Sequence, residues 1–261
     1  MAELVVDGLS VALGGRAVVR EASWCLAGGE LVALLGANGA GKTTALRAVL
    51  GLTPRVGGVV RVEGVDPARM PPSTRARRIA YLPQIRPLAW PVRVRDVVAL
   101  GRFAHGATLG RLNGADADAV ERALRACDLG ALAERSCSTL SGGELARVHV
   151  ARTLAAEAPL LLADEPTASL DPLHQFQVMQ LLRAGADAGR GVLVVMHDAA
   201  LAARTADRLL WMAGGRIVAD GPPAATLTAA RLAEVYGVRA LIRRIEQDWL
   251  VSVTGAAANG G

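Results

Sequence analysis

The sequence predicts an α/β fold: a core of mostly parallel strands with crossover helices, an N-terminal antiparallel β region, and an inserted helical subdomain. Three observations carry this. From residue 160 onward, short apolar runs (160–163 and 192–196) alternate with helical patterns (172–184 and 199–206), the order that builds a parallel sheet. Leu31–Leu35 is another short apolar run, followed by a glycine-rich turn and a helical stretch from about Lys42 to Leu50. Between about 86 and 157 strand signals thin out, and helical patterns at 94–101, 116–128 and 144–156 replace them.

The remaining elements follow in order. Residues 3–35 read as short alternating strands broken by Gly14-Gly15 and Gly28-Gly29, which predicts the antiparallel region, with Trp24 packed inside it. Gly51 stops the first helix. Residues 55–66 read as a hairpin and Ile79–Leu82 as a strand. Strand-like pieces at 208–212 and 216–219 precede a helix near 229–236 and a terminal hairpin, and Gly255–Gly261 is expected to fray. The organisation expected is one domain over 1–254, the helical part (about 86–157) inserted in it, and a flexible tail at 255–261.

Composition excludes several classes. With 52% hydrophobic residues the chain can bury a sizeable core and is not disordered. Its longest apolar runs, such as Leu160–Ala163 and Val192–Met196, fall far short of the ~18–20 residues that cross a bilayer. Met1-Ala2-Glu3 leads straight into a strand-like segment and does not resemble a signal peptide, so a cytosolic or peripheral location is expected. Cys25, Cys127 and Cys137 lack metal-ligand spacing and are expected to be reduced, buried thiols. The net charge is +5, but the basic residues are spread along the chain and clusters such as Arg75, Arg77 and Arg78 read as solvated helix faces. No nucleic-acid motif accompanies them. Of 29 basic residues one alone, Lys42, is a lysine. A chain that otherwise uses arginine has kept a compact ammonium at one place.

That place is a motif. Gly36-Ala37-Asn38-Gly39-Ala40-Gly41-Lys42-Thr43 fits G-x-x-x-x-G-K-[ST], directly after a predicted strand and opening a predicted helix. The glycines let backbone N–H groups turn inward as an anion cradle, and the helix N-terminus, with Thr44 in its first turn, adds partial positive charge. Lys42 would meet the β- and γ-phosphates of a nucleotide, and the Thr43 hydroxyl a magnesium ion. The core is therefore read as a RecA-like P-loop NTPase sheet. Leu160-Leu161-Leu162-Ala163-Asp164-Glu165 is an apolar strand ending in two carboxylates. Asp164 is placed to hold magnesium and Glu165 to act as general base toward an attacking water.

Leu140-Ser141-Gly142-Gly143-Glu144 narrows the class. Ser141 and Glu144 are spaced as a capping box, and exposed glycines between them would let backbone N–H groups approach a phosphate. With these segments, the loop Ser169-Leu170-Asp171-Pro172, Gln84 in Tyr81-Leu82-Pro83-Gln84, and His197 in Val195-Met196-His197-Asp198, the sequence resembles the ABC ATPases in family order from residue 4 to about 237. The resemblance implies ATP and Mg2+ as ligands, with Thr43, Gln84 and Asp164 around the metal. It implies Glu165, His197, Gln84 and Lys42 as the catalytic set. It also implies a homodimer in which Ser141, Gly142, Gly143 and Glu144 of one copy face the ATP of the other, with Asp171 at the dimer loop. Partners implied are a membrane permease dimer and, indirectly, an extracytoplasmic substrate-binding protein, which places the chain on the cytoplasmic face of the bacterial inner membrane.

The segment Trp90 to His105, with its V-x-D-x-V-x-x-G-R run ending in Gly101-Arg102, is similar to that of ATPases importing iron-siderophores, haem or cobalamin. An exporter or lipid-trafficking ATPase, or a soluble non-transport ABC ATPase, remains the alternative. A P-loop kinase leaves Ser141–Glu144 unexplained. One departure from the family pattern stands out: Val11-Ala12-Leu13-Gly14-Gly15 offers no aromatic to stack on adenine.

Overall fold

The structure is a computed structural model describing residues 3–84, 91–108, 110–246 and 248–257. The strands are β1 (Glu3–Leu13), β2 (Arg16–Ala27), β3 (Leu31–Leu35), β4 (Gly57–Val62), β5 (Ile79–Leu82), β6 (Leu160–Asp164), β7 (Gly191–Met196), β8 (Arg208–Ala213), β9 (Arg216–Gly221), β10 (Val238–Ile245) and β11 (Asp248–Ala256). The α-helices are α1 (Lys42–Val49), α2 (Pro72–Arg78), α3 (Val94–Ala99), α4 (Gly114–Ala126), α5 (Gly142–Ala155), α6 (Pro172–Asp187), α7 (Ala199–Thr205), α8 (Pro223–Thr226) and α9 (Ala229–Tyr236). A 3-10 segment, Leu100–His105, continues α3.

The central sheet has the order β5-β6-β7-β3-β8-β9, parallel throughout except for the β8–β9 pair. Its interior strands carry apolar side chains on both faces, which is why they read as continuous runs rather than as alternation. In β3, Leu31, Ala33 and Leu35 pack toward the helices, while Val32 and Leu34 pack toward the N-terminal β region and α1. The same division splits β7 into Val192, Val194 and Met196 against Leu193 and Val195. The sheet is thus the middle layer between two cores.

The N-terminal region is a three-stranded antiparallel sheet, β2-β1-β4, with Trp24 buried in it as expected. The hairpin expected at 55–66 is not formed. Only β4 is a strand there, and it pairs with β1. Glu63 and Gly64 both take positive φ, a tight turn bridging Val62 to Val65, after which Asp66 caps a 3-10 turn and binds Arg55.

Two further expectations are corrected. Cys25 is exposed, because β2 alternates and turns Trp24 and Leu26 inward instead; Cys127 and Cys137 are buried and all three are free thiols. The tail is not frayed from Gly255: β11 continues to Ala256, with Gly255 paired to Arg239. The remaining tail residues, 258–261, lie outside the described residues, as do Met1, Ala2 and Trp90. Helices α3, α4 and α5 pack against one another.

Candidate functional site: a phosphate loop and two carboxylates

The chain leaves β3 at Leu35, turns through the glycine loop and enters α1 at Lys42. Gly41, the N-cap of α1, has φ 104°, and a Cβ there would lie 2.8 Å from the Val18 carbonyl oxygen. Only glycine meets both conditions at low cost. The loop encloses a cavity of about 160 Å3 lined by Val18, Asn38, Gly39, Ala40, Gly41, Lys42, Thr43, Thr44 and Glu165. Lys42 is 5% exposed, and its Nζ donates to the carbonyl oxygens of Gly36 (2.7 Å) and Ala37 (3.0 Å). Burial pulls this ammonium below its ordinary pKa, opposed by the charges of Glu165 and Asp164. A cation held this way is desolvated and aimed into the loop, and a phosphate oxygen is a better acceptor for it than a carbonyl.

Asp164 ends β6 beside this loop. The Thr43 hydroxyl donates to its Oδ1 at 3.1 Å and Tyr81 to its Oδ2 at 3.4 Å. Burial raises the Asp164 carboxyl above its ordinary value, the Thr43 hydroxyl works the other way, and the charge of Glu165 adds to the rise. Burial and Asp164 also push the Tyr81 phenol up to about 12. The pair Thr43 Oγ1 and Asp164 Oδ1 presents two hard oxygens at one edge of the cavity. That matches a magnesium ion, which takes few protein ligands and fills the rest of its octahedron with phosphates and water. When bound there, the ion would supply charge neutralisation for the phosphates.

Glu165 follows directly and has φ 48°, a left-handed conformation unusual for a side chain with a Cβ. The turn frees its carboxylate from the strand and directs it at two other elements. Gln84 Nε2, just beyond β5, donates to Oε2 at 2.8 Å, and His197 Nε2, just beyond β7, lies 2.6 Å from Oε1. Gln84, Glu165 and His197 sit at the C-terminal ends of the adjacent strands β5, β6 and β7, where open parallel sheets bind ligands.

The other expected residues lie apart from this cluster. Ser141 N-caps α5 as a full capping box: Glu144 N donates to Ser141 Oγ (3.2 Å) and Ser141 N to Glu144 Oε2 (2.7 Å). Asp171 N-caps α6 ahead of Pro172, accepting from His174 N at 3.0 Å, with His174 Nδ1 at 2.6 Å from its other oxygen. None of these residues lines the cavity at the glycine loop. Gly142 is exposed with open space where a Cβ would project, as expected. Gly143 is buried, which corrects the expectation of two exposed glycines, because a Cβ on it would lie 1.9 Å from Cδ2 of His174.

Sequence reasoning missed Val18 and His174. Val18 lines the cavity from β2, and only the pairing of that strand brings it there; no aromatic residue is among the cavity's lining residues. His174 lay one turn past the Asp171 cap with no motif of its own.

A P-loop carrying a buried lysine, beside a pair of strand-end carboxylates, defines the class: a nucleoside-triphosphate-binding ATPase. The family model described as "ABC transporter" matches residues 19–168, more than half of the chain. The chain belongs to the ABC transporter family, as an ATPase. It is 43% identical over 245 residues to the hemin import ATP-binding protein HmuV of Pseudomonas putida, covering 92% of this chain and 94% of that one. It superposes on a dimeric ATP-binding cassette in a post-hydrolysis state bound to ADP and phosphate, with TM-score 0.71, 25% identity and coverage of 84% and 98% of the two chains. A metal-chelate type ABC transporter in an inward-facing conformation supports the fold at TM-score 0.83 and 24% identity, covering 99% of each chain.

Proposed function

We propose that this chain powers the import of haem or a related metal chelate, hydrolysing MgATP as a homodimer docked on a membrane permease. The observation that carries the catalytic part is Glu165, which stands at the cavity's edge and is held from both sides by Gln84 and His197. A carboxylate fixed by two neighbours can orient and deprotonate one water in line with a γ-phosphate, work worth roughly 10²–10⁴-fold in rate. Lys42 leaves the carbonyls of Gly36 and Ala37 for the phosphates, and the amides of Gly39 to Thr44 cradle them. Thr43 and Asp164 would hold magnesium with Gln84 beside them, and the ion would neutralise phosphate charge; Gln84 would couple occupancy of the γ-phosphate site to the helical part.

That Ser141–Glu144 does not line the chain's own cavity supports a two-chain site. The exposed Ser141 and Gly142, at the N-terminus of the fourteen-residue α5, serve the nucleotide of the second copy. Asp171 and His174 brace that loop from behind. A dimer closing over two nucleotides excludes bulk water and completes the electrostatic site.

The permease is expected to dock in a groove of about 380 Å3 between the core and the helical part, where Leu52 and Phe103 are each 50% exposed. No described helix is long and apolar enough to cross a membrane, so the chain's place at the cytoplasmic face rests on that contact. Haem comes from the relatives' names and from the Val94–Arg102 pattern. The test is affinity purification from native membranes with MgATP, followed by haem-uptake measurement in a strain lacking this chain. Recovery of a permease and loss of haem uptake are expected. A permease whose loss spares haem uptake but blocks export of another compound would overturn the import reading.

A further inference from the structure

Asp164 and Glu165 are neighbours in the chain and point to different surroundings, yet the edge strand β5 reaches both. Tyr81, on β5, donates from its hydroxyl to Asp164 Oδ2 at 3.4 Å, and Gln84, two residues past the strand, donates to Glu165 Oε2 at 2.8 Å. Strand alternation explains the first contact. Ile79 and Tyr81 lie on the face of the sheet that packs against α1 and the N-terminal β region, as do Leu160 and Leu162 of β6. Asp164, two residues further along β6, falls on that same face. In the parallel register Tyr81 stands beside Leu162, one alternation short of Asp164. Its phenol therefore leans about 6.6 Å, two strand residues, toward the C-terminal end of the sheet. A tyrosine spans that distance; a serine or threonine does not.

Asp164 is thus held through both oxygens, Oδ1 by the Thr43 hydroxyl of α1 and Oδ2 by Tyr81. The two contacts differ in what a cation does to them. Thr43 Oγ1 and Asp164 Oδ1 are the oxygens offered to magnesium, so the hydrogen bond between them is the one given up. The bond from Tyr81 uses the other oxygen and can persist. Asp164 is 1% exposed, so bulk water has no access to replace the phenol. A carboxylate at a metal is oriented by the donor on its second oxygen, and losing that donor typically weakens the metal by about 10–100-fold.

We propose that Tyr81 is a positioning residue for magnesium: its hydroxyl fixes Asp164 through Oδ2 and so keeps Oδ1 turned toward the ion beside Thr43. This rests on the reading of Thr43 and Asp164 as the oxygens that hold the metal. It assigns Tyr81 no contact with the nucleotide or the ion. Tyr81→Phe removes one oxygen and leaves the ring that packs on the core.

The test is the affinity for AMP-PNP, an ATP analogue that is not hydrolysed, measured by calorimetry once with magnesium and once with EDTA. The ratio of the two affinities is the metal's contribution. In Y81F the affinity in EDTA should match that of the unaltered chain, and the ratio should fall about tenfold. Loss by one factor in both media would mark a merely structural role, and an unchanged ratio would detach Tyr81 from the metal; either overturns the proposal. An unaltered chain whose affinity ignores magnesium would instead sink the reading of Thr43 and Asp164. Should Y81F fold poorly, the tyrosine count supplies a second measurement, because the chain has two, Tyr81 and Tyr236. In Tyr236→Phe labelled with 3-fluorotyrosine, the single fluorine resonance belongs to Tyr81. It is expected to shift when magnesium joins bound AMP-PNP, and a resonance that stays in place overturns the proposal.

Discussion

The imidazole of His174 fills the space that a Cβ on Gly143 would enter: such a carbon would lie 1.9 Å from Cδ2 and 2.3 Å from Nε2. The same ring holds Asp171 through Nδ1. One side chain therefore joins the N-termini of α5 and α6, the two loops expected to face a second copy. Alanine at an ordinary helical position is favoured over glycine by roughly 1 kcal/mol. Here the ring must be displaced, and overpacking costs about 1–3 kcal/mol. Gly143→Ala is expected to destabilise the chain, His174→Ala to have a smaller effect, and the double variant to recover most of the loss. Denaturant unfolding of the four proteins should give a coupling of about 0.5–3 kcal/mol. Strict additivity would mean the ring is not what excludes a Cβ.

Glu165 has two holders and one task. Glu165→Gln keeps its shape and removes its basicity, so ATP binding should persist while hydrolysis falls by about 10²-fold or more. The trapped species should elute as a dimer when MgATP is present. Wild-type hydrolysis by this variant would take the base role from Glu165.

Asp164 has a cost without ligand. Its carboxyl is raised by burial, so the folded chain holds that proton more tightly than the unfolded one. Stability from this group is present below its ordinary value of 3.8 and declines as pH rises through the raised one. At neutral pH the ionised form is thus a burden that magnesium would relieve. Asp164→Asn keeps the volume and one acceptor oxygen for Thr43, while its amide N–H can donate to the Tyr81 hydroxyl that formerly donated to Oδ2. It is expected to leave the nucleotide-free melting temperature equal or higher, and to abolish the magnesium-dependent part of stabilisation by ATP. Stabilisation by bound MgATP as a whole is about 2.7 kcal/mol at a hundredfold excess over Kd. Undiminished magnesium dependence would remove Asp164 from the metal site.

The two helix caps titrate in the opposite sense. The backbone N–H of His174, then its side chain, holds the Asp171 carboxyl below its ordinary 3.8, and the Ser141 N–H holds Glu144 below 4.5. Both groups bind protons more weakly when folded. Their stabilisation is therefore present above those ordinary values and is lost as pH falls through the lowered ones. Melting temperature followed from pH 7 to 3 should decline less steeply in Asp171→Asn with Glu144→Gln, which cap without titrating. Identical acid limbs would show that the caps' charge contributes nothing.

Where one contiguous segment carries both the chemistry and its local conformation, the site was legible in sequence. Gly36–Thr43 implies strand, loop and helix because only glycine satisfies Gly41, and Ser141–Glu144 implies its own cap. The helix at 229–236 was legible too, with Thr228 as its N-cap and Gly237 in a left-handed conformation ending it. The hairpin at 55–66 was misread because the composition of β4 fits a strand equally well beside its own return or beside β1. Pairing of distant segments decides that.

By itself, the sequence determined the fold class, the glycine loop with its single lysine, the two carboxylates and the capped serine-glycine helix, since each is written in neighbouring residues. Only the tertiary structure decided that Gln84 and His197 converge on Glu165, that His174 occupies Gly143's missing side chain, and that Tyr81 reaches Asp164. Those contacts join residues far apart in the chain. Their geometry follows from the strand order β5-β6-β7 and from helix packing, both set by burial of apolar faces summed over the whole molecule.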